Sequence, residues 1–552
     1  MNIWLIFLSV LFTFFSTIVL LYISMATMIG PWVAPTLVLL TAVIFKLVRS
    51  KKSKSERHQD IVLVQTVGSV GGLVATGVGF TLPTLYFLDP VQFNRWMGMP
   101  FVFSGVIAAA CLAAGGFGIW LGDAFSNKMI KKDNLSFPVS SLIKETILAS
   151  SDGKKSKELF YGFAASGLAC FLRDKLLPVK DLFVLKGFFG NALNISITPM
   201  FWAVGFIVGP AIAMPLLVGM LSKYAVVAPL FHHGDWLPFR LFPVMDIKTL
   251  TFAFSAGLAV SELIFGLLKY PKIIWNNVKF YSGFKIKEKF SFIKNLFSKK
   301  EDSEFVGLSK SQARLKKLEA VLIIASVFAF LSFLRFPILA QILIVSTTVL
   351  ATYQISFLGA KIGLVQFGRF ATFIMIPTML LFKLTALQIT MLCVFVAISG
   401  AAASDLLFDY KIGQFFDISF KRIKKYQWLG LISTAACLGF FLWVLFTNLQ
   451  LGTVELFAQR GMNRALLIQS VGFNLTVVGL GVLYGFLLKK LRVNPTMVFG
   501  GLLMPNSLTI GLVIGALGSM LSKKRMEQFP FFSGVFSGES VFLIVNVLSK
   551  MF

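Results

Sequence analysis

The sequence predicts an all-α, polytopic membrane protein with about sixteen transmembrane helices, some of them broken or re-entrant. Apolar stretches of membrane-spanning length recur along all 552 residues. A hydrocarbon core about 30 Å thick needs roughly 20 apolar residues per helix. Hydrophobic residues form 57% of the chain, charged residues 14%, and the mean hydropathy is +0.82. Backbone groups in lipid must find hydrogen-bond partners within their own segment, which favours helices throughout.

The charge pattern indicates membrane orientation rather than nucleic-acid binding. Lys and Arg number 52 and Asp and Glu 24, for a net charge of +28. Most basic residues lie in gaps between apolar runs, as expected for cytoplasmic loops that face anionic lipid. The basic clusters lie at 46–57, 128–132, 154–157, 421–425 and 489–492. No nucleic-acid partner is expected.

Three regions are predicted. An N-terminal transmembrane bundle covers 1–268, a basic cytoplasmic linker covers 269–319, and a C-terminal transmembrane bundle covers 320–552. The linker holds 13 Lys or Arg and 5 Asp or Glu among many Phe and Ser residues. This mixture is typical of an amphipathic helix or a mobile loop at a membrane surface.

We expect the first helix to be retained, because its apolar run has no basic residues before it. Cleavage of this helix as a signal peptide is the alternative. The later crossings follow in order. Two crossings, 61–88 and 99–122, return the chain to the cytoplasmic side. The short, polar stretch 136–150 fits a re-entrant or half helix. Four crossings lead to the linker, and four more lie within 319–409. The segment 493–525 is basic at both ends and rich in Gly and Pro, which favours a broken hairpin.

Soluble-enzyme and metal-site patterns are missing from the sequence. The four cysteines lie in apolar segments without CxxC spacing, which indicates buried thiols rather than disulfides or a metal site. A phosphate-binding GxxxxGK[ST], an HExxH and a GxSxG elbow are all absent. The adjacent His232 and His233 are better explained as a surface pair than as metal ligands. We therefore expect no enzyme activity, cofactor or resident metal.

Three clusters of Gly and Pro predict helix breaks, at 77–83, 198–215 and 495–511. Unwound backbone at bilayer depth is tolerated only where it lines a cavity or is buried in protein. The clusters therefore favour a substrate path, with simple proline kinks as the alternative. Glycine pairs four residues apart, such as Gly205 and Gly209, indicate close helix packing.

Ionisable residues inside apolar runs are costly and often functional. They are Asp123, Glu262, Lys361, Arg369, Lys383, Asp405, Asp409 and Glu539. Asp123 and Lys383 lie near segment ends and can reach water. Glu539 lies in the apolar stretch FFSGVFSGESVFLIVNVL, where a structural ion pair with a basic neighbour is the rival explanation.

Five segments in order resemble the oligopeptide transporter family, which includes the yellow-stripe metal-chelate carriers. They are QTVGSVGGLVATGVGFTLPTLYFL (65–88), LSFPVSSLIKETI (135–147), WAVGFIVGPAIAMPLLVGMLS (202–222), ASDLLFDYKIG (403–413) and FSGVFSGES (532–540). The chain departs from the family pattern at three places. Ala211 stands where the family has Arg, Val139-Ser140-Ser141 where it has an acidic residue, and Phe420 where it has Pro. The first two changes remove charges that could bind substrate.

The resemblance implies a secondary active transporter, with helices arranged as two pseudo-repeated halves, that moves oligopeptides or peptide-like metal chelates together with protons. Proton coupling needs a carboxylate that alternates between desolvated and paired states. Glu539 is the first candidate, followed by Asp405 and Asp409. Candidates for the substrate path are Gln65, Pro83, Gly209, Pro210, Lys411, Gly538 and Ser540. Asp409 and Lys411 could instead form a gate or a structural pair.

Two other functions stay open at this point. One is transport of another solute class, such as a lipid or a nucleotide. The other is a membrane-embedded enzyme acting on lipid-linked substrates, which the absence of a DxD pair disfavours. The expected partners are the carried solute, protons and the lipid bilayer, with a homo-oligomer also compatible. The expected location is a cell or inner membrane.

Overall fold

The computed structural model describes residues 3–26, 34–47, 53–133, 135, 137–149, 153–173, 181–186, 192–196, 199–232, 247, 249–258, 260–261, 264–265, 310–362, 365, 367–453, 456–469, 474–504, 506–522 and 527–549. Most of the predicted linker, together with His233, Glu262 and the side chain of Lys361, lies outside these residues.

Helices dominate the N-terminal part of the chain. They are α1 (Ile3–Ala26), α2 (Ala34–Leu47), α3 (Lys54–Thr81), α4 (Thr84–Leu88), α5 (Pro90–Met97), α6 (Pro100–Ser126), α7 (Pro138–Ala149), α8 (Gly153–Phe171), α9 (Pro199–Val208), α10 (Pro210–Ser222), α11 (Ala228–His232) and α12 (Thr249–Leu258). Helix α6 continues into a π-helical turn at Asn127–Lys132, and α10 into another at Lys223–Val227.

A short antiparallel ribbon lies between α8 and α9. It consists of β1 (Asp181–Lys186) and β2 (Ala192–Ser196), with Val184 opposite Asn194. The sequence pattern did not indicate this ribbon, because a short apolar run is compatible with either a strand or part of a helix.

The C-terminal part is also helical. It contains α13 (Lys310–Phe333), α14 (Ile338–Ile362), α15 (Phe367–Leu381), α16 (Ala386–Phe415), α17 (Phe420–Asn448), α18 (Gln459–Gln469), α19 (Leu475–Lys490), α20 (Pro495–Leu503), α21 (Asn506–Leu521) and α22 (Phe529–Ser549). Helix α13 begins inside the stretch 269–319 that the sequence assigned to the linker.

The helical membrane architecture is confirmed. Among the described residues, 7 helices are long and apolar enough to cross a bilayer. These spans are Ile3–Ala26, Ser55–Leu88, Pro100–Lys132, Ala213–Phe231, Ile338–Ala360, Ala386–Phe415 and Phe420–Asn448. Thr249–Leu258, Leu318–Phe333 and Asn506–Leu521 are shorter apolar helices.

Helices α3 and α16 form the centre of one helix group. The apolar window of each is buried along its whole length, and α1, α6 and α17 pack around them. The small residues AISGAAAS at 397–404 allow α6 to approach α16 closely. Ser399 Oγ donates a hydrogen bond to the carbonyl of Ala114 on α6 at 3.0 Å. A helix that is apolar on every side is expected in such a buried position.

Each of the three Gly/Pro clusters contains a helix interruption. Helix α3 ends at Thr81, and a turn at Leu82–Pro83 leads to α4. Gly209 separates α9 from α10 with φ +78, a left-handed conformation that favours glycine. The third interruption separates α20 from α21 after Met504. Helix α9 has 10 residues and is too short to span a bilayer alone. Helix α10 continues through the π-helical turn into α11 and forms the span Ala213–Phe231.

The broken helix α9–α10 packs directly on the broken helix α20–α21, with α9 against α21 and α10 against α20. Glycines on each contact backbone carbonyl groups on the other, and a Cβ atom at any of these glycines would overlap the facing oxygen. The contacts are Gly205 with Leu512, Gly219 with Val498, Gly501 with Leu216, and Gly515 with Trp202.

A second set of helix pairs packs in the same way. Helix α8 lies against α22, and α12 lies against α19. The close glycine–carbonyl contacts are Gly162 with Phe531, Gly534 with Leu159, Gly257 with Val478, and Gly481 with Phe254. Such close approach is available only to residues without a Cβ atom, so glycine fixes the spacing of these helices.

The glycine contacts predict a contrast between two alanine substitutions. Gly219→Ala would push a Cβ atom into the Val498 carbonyl, and we expect it to destabilise the fold by on the order of 2 kcal/mol, a typical overpacking cost. Gly479→Ala on α19 has open space around it, and helix propensity favours alanine by about 1 kcal/mol. Thermal unfolding in detergent should therefore show a lower melting temperature for the first variant only. Equal melting temperatures would contradict the close α10–α20 contact.

Candidate functional site

Two carboxylates lie together in the central helix α16. Asp405 and Asp409 are four residues apart, on one helix face, and their exposed fractions are 2% and 0%. No ion pair joins either carboxylate to a basic side chain within the described part of the chain. Both positions were candidates from the sequence, and the structure brings them to one site with Gln65.

Neutral donors from α3 and α17 surround this pair. Gln65 Nε2 donates to Asp409 Oδ1 at 3.1 Å, and Gln427 Nε2 donates to Asp405 Oδ2 at 2.9 Å. Ser69 Oγ lies 3.0 Å from Asp405 Oδ2 and 3.5 Å from Asp409 Oδ2, between the two carboxylates. Gln65 and Ser69 share a face of α3 because they are four residues apart.

Two further oxygen atoms near this pair have no hydrogen-bond partner among the described residues. They are Gln65 Oε1 and Gln427 Oε1, and both residues are buried. Thr66, also buried, is a further hydroxyl that interacts with Asp409. We call Gln65, Thr66, Ser69, Asp405, Asp409 and Gln427 the polar cluster. Buried polar atoms usually have partners, so these orphan oxygens call for an explanation.

Glu539 has a different environment. Its Oε1 lies 3.1 Å from Arg173 Nη1, just after α8, and its Oε2 accepts the backbone N–H of Met200 at 2.6 Å. Met200 lies in the first turn of α9, where the helix dipole favours a negative charge. Glu539 is 4% exposed, and it connects α22 with α8 and α9.

Four other sequence candidates lie on the broken helices or beside Glu539. Gly209 is the buried residue at the α9–α10 interruption, and Pro210 begins α10. Gly538 packs against the Phe163 carbonyl on α8. Ser540 lies in α22, but its side chain is outside the described residues.

Lys411 and Pro83 lie elsewhere. The Lys411 ammonium lies 6.0 Å from the ring centre of Phe137 and 5.8 Å from that of Phe415. No ion pair joins Lys411 to Asp409 in the described structure, because residues two apart on a helix do not face each other. Pro83 forms the turn after α3 and packs against Gly461 of α18.

Arg464 of α18 holds the interruption after α3. It is 4% exposed, and its guanidinium donates to the carbonyl groups of Phe80 and Gly368 and to Thr372 Oγ1. The last four carbonyl groups of a helix lack partners within the helix. Arg464 supplies such a partner to Phe80 in the last turn of α3. It also connects α3 with the start of α15, and the sequence analysis did not single it out.

Polar atoms without partners also occur on the packed broken helices. Trp202 Nε1 on α9, and Asn506 Oδ1 and Thr509 Oγ1 on α21, are buried atoms with no hydrogen-bond partner among the described residues. Asn506 and Thr509 share a face of α21 because they are three residues apart. The amide group of Asn506 donates to Tyr224 Oη at 2.7 Å.

A cluster of charged and polar side chains connects α6, α13, α16 and α17. Lys424 Nζ of α17 lies 3.0 Å from Asp123 Oδ2 of α6 and 2.8 Å from Glu319 Oε1 of α13. Tyr410 Oη of α16 donates to Asp123 Oδ1 at 2.8 Å. Asp123 therefore has a structural partner, in keeping with its position at a segment end.

Several residues of the site were missed because they carry no signal in one sequence. Ser69 and Gln427 are neutral and lie in apolar helices, and Arg173 is far from Glu539 along the chain. The four-residue spacing of Gln65 and Ser69 was the available clue for α3.

Among the described residues, no group of three or more His, Cys, Asp or Glu side chains could hold a metal ion.

The sequence of this chain matches a known protein family. No curated protein matches the sequence. The family model described as OPT oligopeptide transporter protein matches residues 1–536, nearly the whole chain, which confirms the resemblance found in the sequence. The multi-pass membrane location is confirmed as well. The chain belongs to the oligopeptide transporter family, a family of membrane transporters and not of enzymes.

Proposed function

We propose that this protein is a secondary active transporter that moves oligopeptides or peptide-like metal chelates across the membrane, driven by protons. Family membership supports the transport class and the kind of solute. The driving ion, the substrate path and the duplicated halves are our own proposals. The packing of the two broken helices against each other is the observation that carries them.

Broken helices are suited to a substrate path. Unwound backbone in a membrane must be buried in protein or line a cavity, and transporters place such breaks at their binding sites. Helices α9–α10 and α20–α21 are both interrupted, and they pack on each other near Gly209 and Met504. We therefore propose that the substrate path runs along the interruptions of these two helices, beside their close glycine contacts.

The reciprocal glycine contacts support two pseudo-repeated halves. Gly205 faces Leu512 while Gly501 faces Leu216, and the spacing from glycine to leucine is the same along each broken helix. Exchanging the two broken helices therefore reproduces the contact. The contacts between α8 and α22 correspond in the same way to those between α12 and α19. A pseudo-twofold relation between the halves accounts for both sets.

The unpartnered polar atoms on α9 and α21 fit a peptide. Each peptide unit carries one N–H donor and one carbonyl acceptor. Trp202 offers an indole N–H, while Asn506 and Thr509 offer oxygen acceptors. We propose that these three side chains bind the backbone of the carried solute.

Carboxylates provide the proton sites. Asp405 and Asp409 are buried among neutral partners, so charge balance at the pair requires protons or another bound cation. Glu539 is paired with Arg173 and also contacts α9, which belongs to a broken helix. We propose that protons bind at the pair, and that Glu539 transmits movement of α9 to α8 and α22.

Uptake of a labelled tripeptide into proteoliposomes, with the acidic side outside, tests the proton sites. We expect Asp409→Asn to remove the acceleration by the pH gradient, because the neutral amide imitates a permanently protonated carboxyl group. Asp417→Asn is the matched control, since Asp417 is an exposed residue in the turn after α16. If Asp409→Asn keeps full gradient dependence, the pair has no part in coupling.

Peptide binding by α21 is tested with Thr509→Val, which keeps the shape and removes the hydroxyl. We expect a tenfold or larger rise in KM for the peptide, corresponding to about 1.4 kcal/mol. Thr378→Val is the control, because the Thr378 hydroxyl bonds to the carbonyl of Ile374 in its own helix at 2.8 Å. An unchanged KM for Thr509→Val, with normal folding, would exclude this hydroxyl from the binding site.

The Glu539–Arg173 pair is tested with a double-mutant cycle. Arg173→Gln removes a cation that lies 3.1 Å from a buried carboxylate, and we expect a loss of about 3 kcal/mol in unfolding free energy. The double variant Arg173→Gln/Glu539→Gln should be more stable than the sum of the single losses implies. Thermal unfolding in detergent measures each variant. Strict additivity would show that the two side chains do not interact.

A further inference from the structure

The polar cluster brings two carboxylates, two amides and two hydroxyl groups together in the centre of the helix group. Asp405 and Asp409 are buried without a basic partner in the described structure, and they face one another across Ser69. Buried carboxylates are stable only when their charge is balanced and their oxygens have partners. Ser69, Gln65 and Gln427 supply hydrogen bonds but no positive charge.

The orphan oxygens indicate which kind of group balances this charge. Gln65 Oε1 and Gln427 Oε1 belong to the same amides that donate to Asp409 and Asp405, and neither oxygen has a partner among the described residues. A cation bound at the pair would accept lone pairs from such oxygens.

A half turn of each amide converts the cluster into an oxygen cage. The nitrogen and oxygen of an amide occupy equivalent positions, so rotation places Oε1 where Nε2 lies now. The Gln65 oxygen would then lie about 3.1 Å from Asp409 Oδ1, and the Gln427 oxygen about 2.9 Å from Asp405 Oδ2. Two oxygens bound to one ion at about 2.4 Å are about 3.4 Å apart at a right angle and closer at smaller angles.

We propose that the polar cluster is a binding site for a small hard cation such as Na⁺ or Ca²⁺. The ligands would be the carboxylates of Asp405 and Asp409, the amide oxygens of Gln65 and Gln427, and the hydroxyl of Ser69. Oxygen-only ligand sets select hard cations over zinc or copper. The amides present N–H groups to the carboxylates when no cation is bound and oxygens when one is bound.

The bound cation would connect three helices. Gln65 and Ser69 lie on α3, the carboxylates on α16, and Gln427 on α17. One ion would therefore hold the centre of this helix group together. The inference goes beyond proton drive, and it stands whichever solute the protein carries.

Melting temperature in detergent tests the site on the purified full-length chain. NaCl, KCl, MgCl₂ or CaCl₂ is added in place of part of the choline chloride in the buffer, so that the ionic strength stays constant. We expect a saturable rise in melting temperature with Na⁺ or Ca²⁺, because a ligand that binds only the folded state stabilises it. The rise should vanish in Asp405→Asn and Asp409→Asn and persist in Asp417→Asn. Equal rises in all variants, or none in the wild type, would overturn the proposal.

A direct binding measurement covers the case in which an aspartate variant does not fold. Equilibrium dialysis with ²²Na⁺ or ⁴⁵Ca²⁺ on the wild type should give one ion per chain. Gln427→Leu keeps both carboxylates and should weaken binding about tenfold or more. Dialysis that detects no bound ion would refute the site. Peptide uptake is measured separately, so failure of the cation site and failure of the transport proposal can be told apart.

Discussion

Close backbone contact between the two broken helices is the constraint on which the rest of the structure depends. Interrupted backbone in a membrane leaves peptide groups without partners, so it must be surrounded by protein. Glycines meet this need by letting α9–α10 and α20–α21 approach until Cα atoms touch carbonyl groups. At the end of α3, Arg464 does the same by donating a hydrogen bond to the Phe80 carbonyl. Each break is therefore held by a residue from another part of the chain.

Buried carboxylates in this protein have two kinds of environment, and the difference suggests different roles. Glu539 has an arginine and a helix N-terminus, which together balance its charge within the protein. Asp405 and Asp409 have only amides and a hydroxyl. A balanced carboxylate holds helices together, whereas an unbalanced pair needs a mobile ion to complete it. The pair is therefore the better place for exchange with protons or other cations.

Sequence reasoning reached the parts of this structure that depend on local composition. Apolar length predicted the membrane helices, clusters of Gly and Pro marked the interruptions, and charge within an apolar run marked Asp405, Asp409 and Glu539. It did not find Gln427 or Arg173, because those roles depend on contacts between residues far apart in the chain. Short helices such as α9 and α20 also make it difficult to count membrane crossings from the length of apolar runs, since neither helix reaches the thickness of a bilayer. The number of crossings is thus harder to predict than their location.

Helix α3 offers a physical connection between the polar cluster and the break at Pro83. It is a continuous helix of 28 residues, with Gln65 and Ser69 in its middle and Thr81 at its end. The distance along the axis from Gln65 to Thr81 is about 24 Å at 1.5 Å per residue. A close-packed interior has low compressibility and transmits strain. Strain from a change of charge at the cluster would therefore reach the far end of α3, where Arg464 binds the Phe80 carbonyl and Gly461 packs on Pro83.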